Sequence, residues 1–126
     1  MRARRTSTST SQRVTRLVAV PWALWGTAML VRPGDVTRLV CGGGPEPAHW
    51  VVRLLGARLV AQHVTTLVRP TRAVVLAGAG IDLLHASSMG PARVRWPAHA
   101  RPVWVSGTTS VASAVLGLLT APAGRR

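Results

Sequence analysis

Four side chains able to do chemistry stand inside apolar stretches of this sequence rather than in its turns: Arg58, Gln62, Asp82 and His85. Arg58 is the ninth residue of the run 50–68 (WVVRLLGARLVAQHVTTLV), and Asp82 is the tenth of the run 73–89 (AVVLAGAGIDLLHASSM). A charge at mid-helix in a membrane costs about 2.5–3.5 kcal/mol on insertion scales, so it needs a partner. Asp82 is the only acidic residue in any apolar run and therefore the only anion available to Arg58 there. Pro70 lies twelve residues after Arg58 and twelve before Asp82. An antiparallel hairpin turning at Pro70 brings both charges to one depth, roughly 18 Å from the turn. At about 100° per residue, Arg58, Gln62, Thr65 and Thr66 share one helical face. Val75, Gly78, Asp82, His85, Ala86 and Met89 share a face of the next helix, where Gly78 permits close approach. These positions point to a buried Arg58–Asp82 pair with Gln62 and His85 as hydrogen-bonding neighbours. Such a cluster is either a packing and register device between helices or, through Asp82 and His85 at i and i+3, part of a proton or cation path.

Other reactive residues do not assemble into a motif. His63 falls on a different face from Arg58 and reads as a satisfied or lipid-interface histidine. His63, His85 and Cys41 have neither metal-ligand spacing nor a common depth, so no metal and no cofactor is expected. The stretch Cys41-Gly42-Gly43-Gly44-Pro45 lacks the lysine and helix start of a phosphate loop. Ser87-Ser88 has no adjacent base, so no catalytic residue and no enzyme is expected. Ser106, Ser110 and Ala114 repeat every fourth residue, as do Ser113, Gly117 and Ala121. Rows of this kind favour close helix packing, within the chain or between copies.

The elements that must position these residues follow from composition and charge placement. The chain has 126 residues, is 48% hydrophobic and carries a formal charge of +13, from sixteen arginines against Asp35, Glu46 and Asp82. A surface of balanced ion pairs cannot be built from that set. Phe and Tyr are absent, and a single cysteine excludes an internal disulfide or a four-cysteine zinc site. A basic nucleic-acid binder and a basic membrane protein remain. Residues 17–31 and 103–121 carry no charge, and the latter nineteen residues span roughly 28 Å as a helix, close to the hydrocarbon thickness of a bilayer.

The expected fold is all-α: a transmembrane bundle of four helices, at about 14–31, 50–68, 73–89 and 103–121, or three if the first does not cross. Residues 1–12 read as a disordered basic tail, 13–122 as the transmembrane domain and 123–126 as a second basic tail. Arg69-Pro70-Thr71-Arg72 is a tight turn, and the prolines within 93–102 stop helices. In the connector 32–49, Asp35 is placed to cap a short interfacial helix through Cys41. The first span contains Pro21, which removes a hydrogen bond and kinks the helix. A start near Arg13, with Arg16 snorkelling to the headgroups, gives that span enough length. Its competing reading is a secretory signal, but Arg32-Pro33 rather than a small-residue cleavage site follows it.

Orientation follows from arginine counts in short loops. With four spans, nine arginines fall on the side of the two termini and the 69–72 turn and five on the other, which places both termini in the cytoplasm and the protein in the plasma membrane. Trp50, Trp96 and Trp104 stand at span ends, where interfacial rings belong. A soluble nucleic-acid binder would instead interleave arginines with polar residues on an exposed helical face. The partners implied are the lipid bilayer and a further copy or another membrane protein, with no nucleic acid.

Leu55-Gly56-Ala57-Arg58-Leu59-Val60-Ala61-Gln62, followed by Asp82-Leu83-Leu84-His85-Ala86-Ser87-Ser88-Met89, resembles a group of small actinobacterial integral membrane proteins. Their pattern is an L-G-x-R-x-x-x-Q helix, a short turn and a helix bearing D-x-x-H-x-x-S-M. Residues 25–34 (WGTAMLVRPG) are similar to the first helix of that group. The resemblance implies a three- or four-helix membrane bundle without an established activity; Pro21 and the long basic tail depart from it. The sequence thus leads to an integral membrane protein with a structural or interaction role, with a small transporter or proton-conducting subunit as the alternative.

Overall fold

The computed structural model describes residues 2–123. Five α-helices follow one another: α1 (Arg2–Val31), α2 (Pro33–Cys41), α3 (His49–Val68), α4 (Arg72–Arg95) and α5 (Ala100–Thr120), with a single 3-10 turn at Pro97–His99. No strand occurs among the described residues. The chain is an all-α helical bundle, and four of its helices are long and apolar enough to cross a membrane.

Local chemistry explains where the helix boundaries depart from the sequence reading. The helix α1 is continuous from Arg2, through the stretch expected to be a disordered tail, and it passes through Pro21. Its hydroxyl residues find helical partners: the Thr15 hydroxyl donates to the Ser11 carbonyl at 3.0 Å and to the Thr120 carbonyl at 2.7 Å. Met1 and residues 124–126, parts of the two expected tails, lie outside the described residues. In α2 the N-cap is Arg32, with Pro33 opening the helix, so Asp35 is not the cap. It sits in the first turn instead, where its carboxylate complements the helix dipole and pairs with Arg38 and, at 3.8 Å, Arg32. The helix ends at Gly42, whose φ of 56° is in the left-handed region that glycine adopts without strain. The third span extends past Met89 and past Pro91 to Arg95. Of the prolines expected to stop helices, Pro97 opens the 3-10 turn, whereas Pro102 lies in the first turn of α5, where a missing N–H breaks no helical bond.

Neighbouring helices run antiparallel in an up-down-up-down order. Arg16 Nε donates to the Leu67 carbonyl at 2.9 Å, and Gly26 faces Gly56, so α1 lies along α3. The α4 and α5 contacts His85–Ser106 and Val75–Gly117 pair those two helices in the same way. The bond from Thr15 to Thr120 puts the start of the α1 span and the end of α5 at one end of the bundle, the end that also carries the 69–71 turn.

The tightest helix contact is one that the sequence reading did not single out. A Cβ on Gly56 would stand 2.7 Å from both the Gly26 carbonyl oxygen and Met29 Cβ, and a Cβ on Gly26 would stand 2.8 Å from Leu59 Cβ. Only hydrogen side chains permit α1 and α3 to meet this closely. At Gly78, by contrast, a Cβ would meet the Gln62 side chain at 3.3 Å, so a polar side chain rather than a neighbouring backbone fills the space there. The α3–α4 hairpin, where Gly78 was expected to permit close approach, is therefore the looser contact. Each of its helices packs chiefly against another partner, α3 on α1 and α4 on α5.

The interior is made of small and polar residues. Ala19, Met29, Val36, Cys41, Val52, Val75, Ala79 and Ala114 are buried, together with Thr15, Thr37, His63, Thr66, Asp82, Ser110 and Ser113. The outer face carries the large aliphatic residues: Leu17, Leu24, Leu84 and Leu119 are 71%, 65%, 74% and 77% exposed. That distribution inverts the core-in, polar-out order of a water-soluble bundle.

Candidate functional site

The structure brings Arg58 and Asp82 into contact across α3 and α4. Arg58 Nη2 donates to Asp82 Oδ1, and Gln62 Nε2 donates to Asp82 Oδ2 at 2.8 Å. Asp82 is 1% exposed, and both of its carboxylate oxygens are engaged. The same Gln62 amide reaches the Gly78 carbonyl at 3.3 Å. Helical geometry explains the convergence: Arg58 and Gln62 are one turn apart on α3, as are Gly78 and Asp82 on α4, so two consecutive turns of each helix supply the whole cluster.

His85 does not join the pair. Its Nε2 meets Ser106 Oγ of α5 at 2.8 Å, which ties α4 to α5 rather than to α3. One turn beyond Asp82 on α4, the side chain is directed at the helix that packs closest. Of the small-residue rows, Ser110, Ser113 and Ala114 are buried within the chain, and Gly117 faces Val75 across an ordinary van der Waals distance of 3.6 Å. Those contacts lie within one copy of the chain.

Two residues enter the polar interior that sequence reasoning placed elsewhere or passed over. His63 is 7% exposed. Its ring stacks on Trp22 of α1 with centroids 6.2 Å apart, and its Nε2 lies 3.5 Å from Ser113 Oγ of α5. The helical wheel separated His63 from Arg58 correctly, but it could not show that α1 and α5 cover that second face. Thr37 of α2, 2% exposed, donates to the Gly34 carbonyl at 3.0 Å and to Glu46 Oε2 at 2.9 Å. That network closes the connector end of the bundle over Cys41. Burial first, and the nearby Glu46 carboxylate second, push the Cys41 thiol above the usual cysteine range.

Two cavities flank the ion pair. One of about 90 Å³ lies on the α2 side and is lined by Trp22, Trp25, Leu55, Arg58, His85 and Ser106, among others. A smaller one, about 30 Å³, is lined by Thr15, Gln62, His63, Thr66, Asp82 and Ser113. Trp22 and Ser113 border both. Arg58 Nε and Gln62 Oε1 are buried with no hydrogen-bond partner in the protein. Each belongs to a residue that borders one of these cavities, and the larger cavity, bordered by Arg58, is roomy enough to accommodate water. A third hollow, about 310 Å³, separates α3 from α4 and α5 at the connector end and shares Leu55, Pro102 and Ser106 with the first cavity. The two helix pairs thus part at that end and are joined at mid-depth by the Arg58–Asp82–Gln62 cluster.

Among the described residues no group of three or more His, Cys, Asp or Glu side chains converges on a point that could hold a metal ion. The cluster itself offers a buried, hydrogen-bonded charge pair beside two small, largely apolar cavities that a few titratable and hydroxyl side chains border. In comparisons with protein-family models, curated proteins and solved structures, the chain finds no match.

Proposed function

We propose that this chain is an integral protein of the plasma membrane with a structural or interaction role, non-catalytic, with both termini in the cytoplasm. The observation that carries the reading is the inverted distribution of side chains: large aliphatic residues cover the outside of four long helices, while small and polar residues fill the inside. In water such an exterior would drive aggregation; in lipid it is the low-energy arrangement. The Arg58–Asp82 pair acts in this reading as a pin that fixes the register of the α1–α3 pair against the α4–α5 pair. The resemblance carried by Arg58, Gln62, Asp82 and His85 to small actinobacterial membrane proteins supports the same assignment. Sodium carbonate extraction of a membrane fraction tests it. The expected result is a protein retained in the pellet and released only by detergent, whereas release into the carbonate supernatant refutes the assignment.

A second reading has its own support in the two cavities flanking Asp82, which line up titratable and hydroxyl side chains on both sides of the pair. In that reading the chain is a proton-conducting subunit or small transporter using Asp82 and His85. Proton flux into proteoliposomes separates the two. Flux that Asp82→Asn abolishes favours conduction, and the absence of flux in the wild-type protein favours the structural role.

A further inference from the structure

We propose that the outward face between α4 and α5 is a binding site for an anionic phospholipid, an inference that rests on the membrane reading above. A groove of about 750 Å³ runs along that face, in the size range of small-molecule sites. Its lining includes Ala86, Gly90, Gly107 and Ala112, with Val111 and Val115 beside them. A Cβ on Gly90 would meet nothing within 4 Å, so the groove is open there. The one hydroxyl along it is internally satisfied: Thr108 donates to the Trp104 carbonyl at 2.7 Å. From Val103 to Leu116 the groove extends roughly 20 Å by helical rise. A single leaflet contributes about 15 Å of hydrocarbon. The length therefore fits an acyl chain lying along the bundle with its headgroup at the end of the groove.

Charge identifies the headgroup. Arg93 stands at that end, its guanidinium 5.5 Å from the centroid of the Trp104 ring. Arg95 belongs to the same helix junction, whereas the Arg101 guanidinium turns away from the groove and lies against Gly42 at the end of α2. None of the three acidic side chains is paired with Arg93 or Arg95. Asp82 is buried against Arg58, Asp35 pairs with Arg32 and Arg38, and Glu46 accepts from Thr37 beside His49. An uncompensated guanidinium next to an exposed tryptophan, at the mouth of an apolar groove, matches a lipid phosphate with a net negative headgroup. A second copy of the chain docking through the same face would bring the same arginines and no carboxylate to meet them.

Native mass spectrometry of the detergent-purified protein tests the site, with dioleoylphosphatidylglycerol and dioleoylphosphatidylcholine supplied in equal amounts. The expected result is one retained phosphatidylglycerol, favoured over phosphatidylcholine by about fivefold, the weight of one arginine at a lipid surface. Arg93→Gln removes that preference without lowering phosphatidylcholine retention, and Gly90→Leu, which fills the groove, lowers retention of both lipids. Equal retention by the wild-type protein, a preference that survives Arg93→Gln, or a lipid-free dimer overturns the proposal while leaving the membrane reading intact. A protein that stays in solution without detergent and retains neither lipid overturns both.

Discussion

Asp82 is tightly constrained, because it places a carboxylate almost wholly out of solvent and satisfies both oxygens from α3. Removing one partner of such a pair leaves an uncompensated charge, at a cost of about 3–5 kcal/mol, whereas replacing both by apolar residues of similar size is often neutral. Arg58→Leu and Asp82→Leu should therefore each reduce the amount of protein accumulating in membranes, and the double variant should recover most of it. A double variant no better tolerated than the worse single one rules out direct pairing. At the connector end, the burial and the Glu46 carboxylate that raise the Cys41 thiol predict slow alkylation near neutral pH. Labelling with a maleimide should rise as pH climbs beyond the ordinary cysteine range, because only the thiolate reacts. Glu46→Gln removes one of the two causes and should shift that rise to lower pH.

At the scale of elements, the bundle is organised by backbone approach between α1 and α3. A side chain on Gly56 would press on the Gly26 carbonyl and on Met29 at distances that real Cβ atoms do not show. Gly56→Val should separate the two helices and lower stability by about 1–3 kcal/mol, the usual cost of overpacking, read as a reduced melting temperature in detergent. Gly80 supplies the control. A Cβ there meets nothing within 4 Å, so Gly80→Ala should be neutral or stabilise by up to about 1 kcal/mol through helix propensity. Equal losses from the two substitutions would show that the α1–α3 contact is not tight. The looser contact of α3 with α4 has a matching cause, since the Gln62 side chain occupies the space beside Gly78 that a neighbouring backbone would otherwise fill.

For the whole molecule, the order of helices makes topology a single testable quantity. The bond from Thr15 to Thr120 holds the first and last spans together at the end that carries the 69–71 turn, while the Pro97–His99 turn lies at the opposite end. On a Cys41→Ser background, Thr71→Cys and Ala98→Cys should therefore react with an impermeant maleimide from opposite sides of a cell membrane. With the orientation proposed from the arginine bias, Ala98→Cys labels in intact cells and Thr71→Cys only after permeabilisation. Labelling of both positions from one side excludes this four-span topology.

Helix number and type, and the shared depth of Arg58 and Asp82, were legible in the sequence. They depend on local quantities: the length of uncharged runs, the period of 3.6 residues, and equal spacing on either side of Pro70. Boundaries were less legible: Pro102 falls in the first turn of α5, where a missing N–H breaks no helical bond, while α4 runs on through Pro91 for one more turn despite the bond lost there, and the pattern alone reveals neither. What only the tertiary structure decided is which helix covers which face. His85 is one turn from Asp82 and yet bonds to Ser106, His63 finds Trp22 and Ser113, and Gly26 meets Gly56. Each of these contacts joins residues twenty or more positions apart on helices whose pairing depends on the joint packing of all their faces. Periodicity assigns a residue to a face, but the neighbour of that face is a property of the assembled bundle.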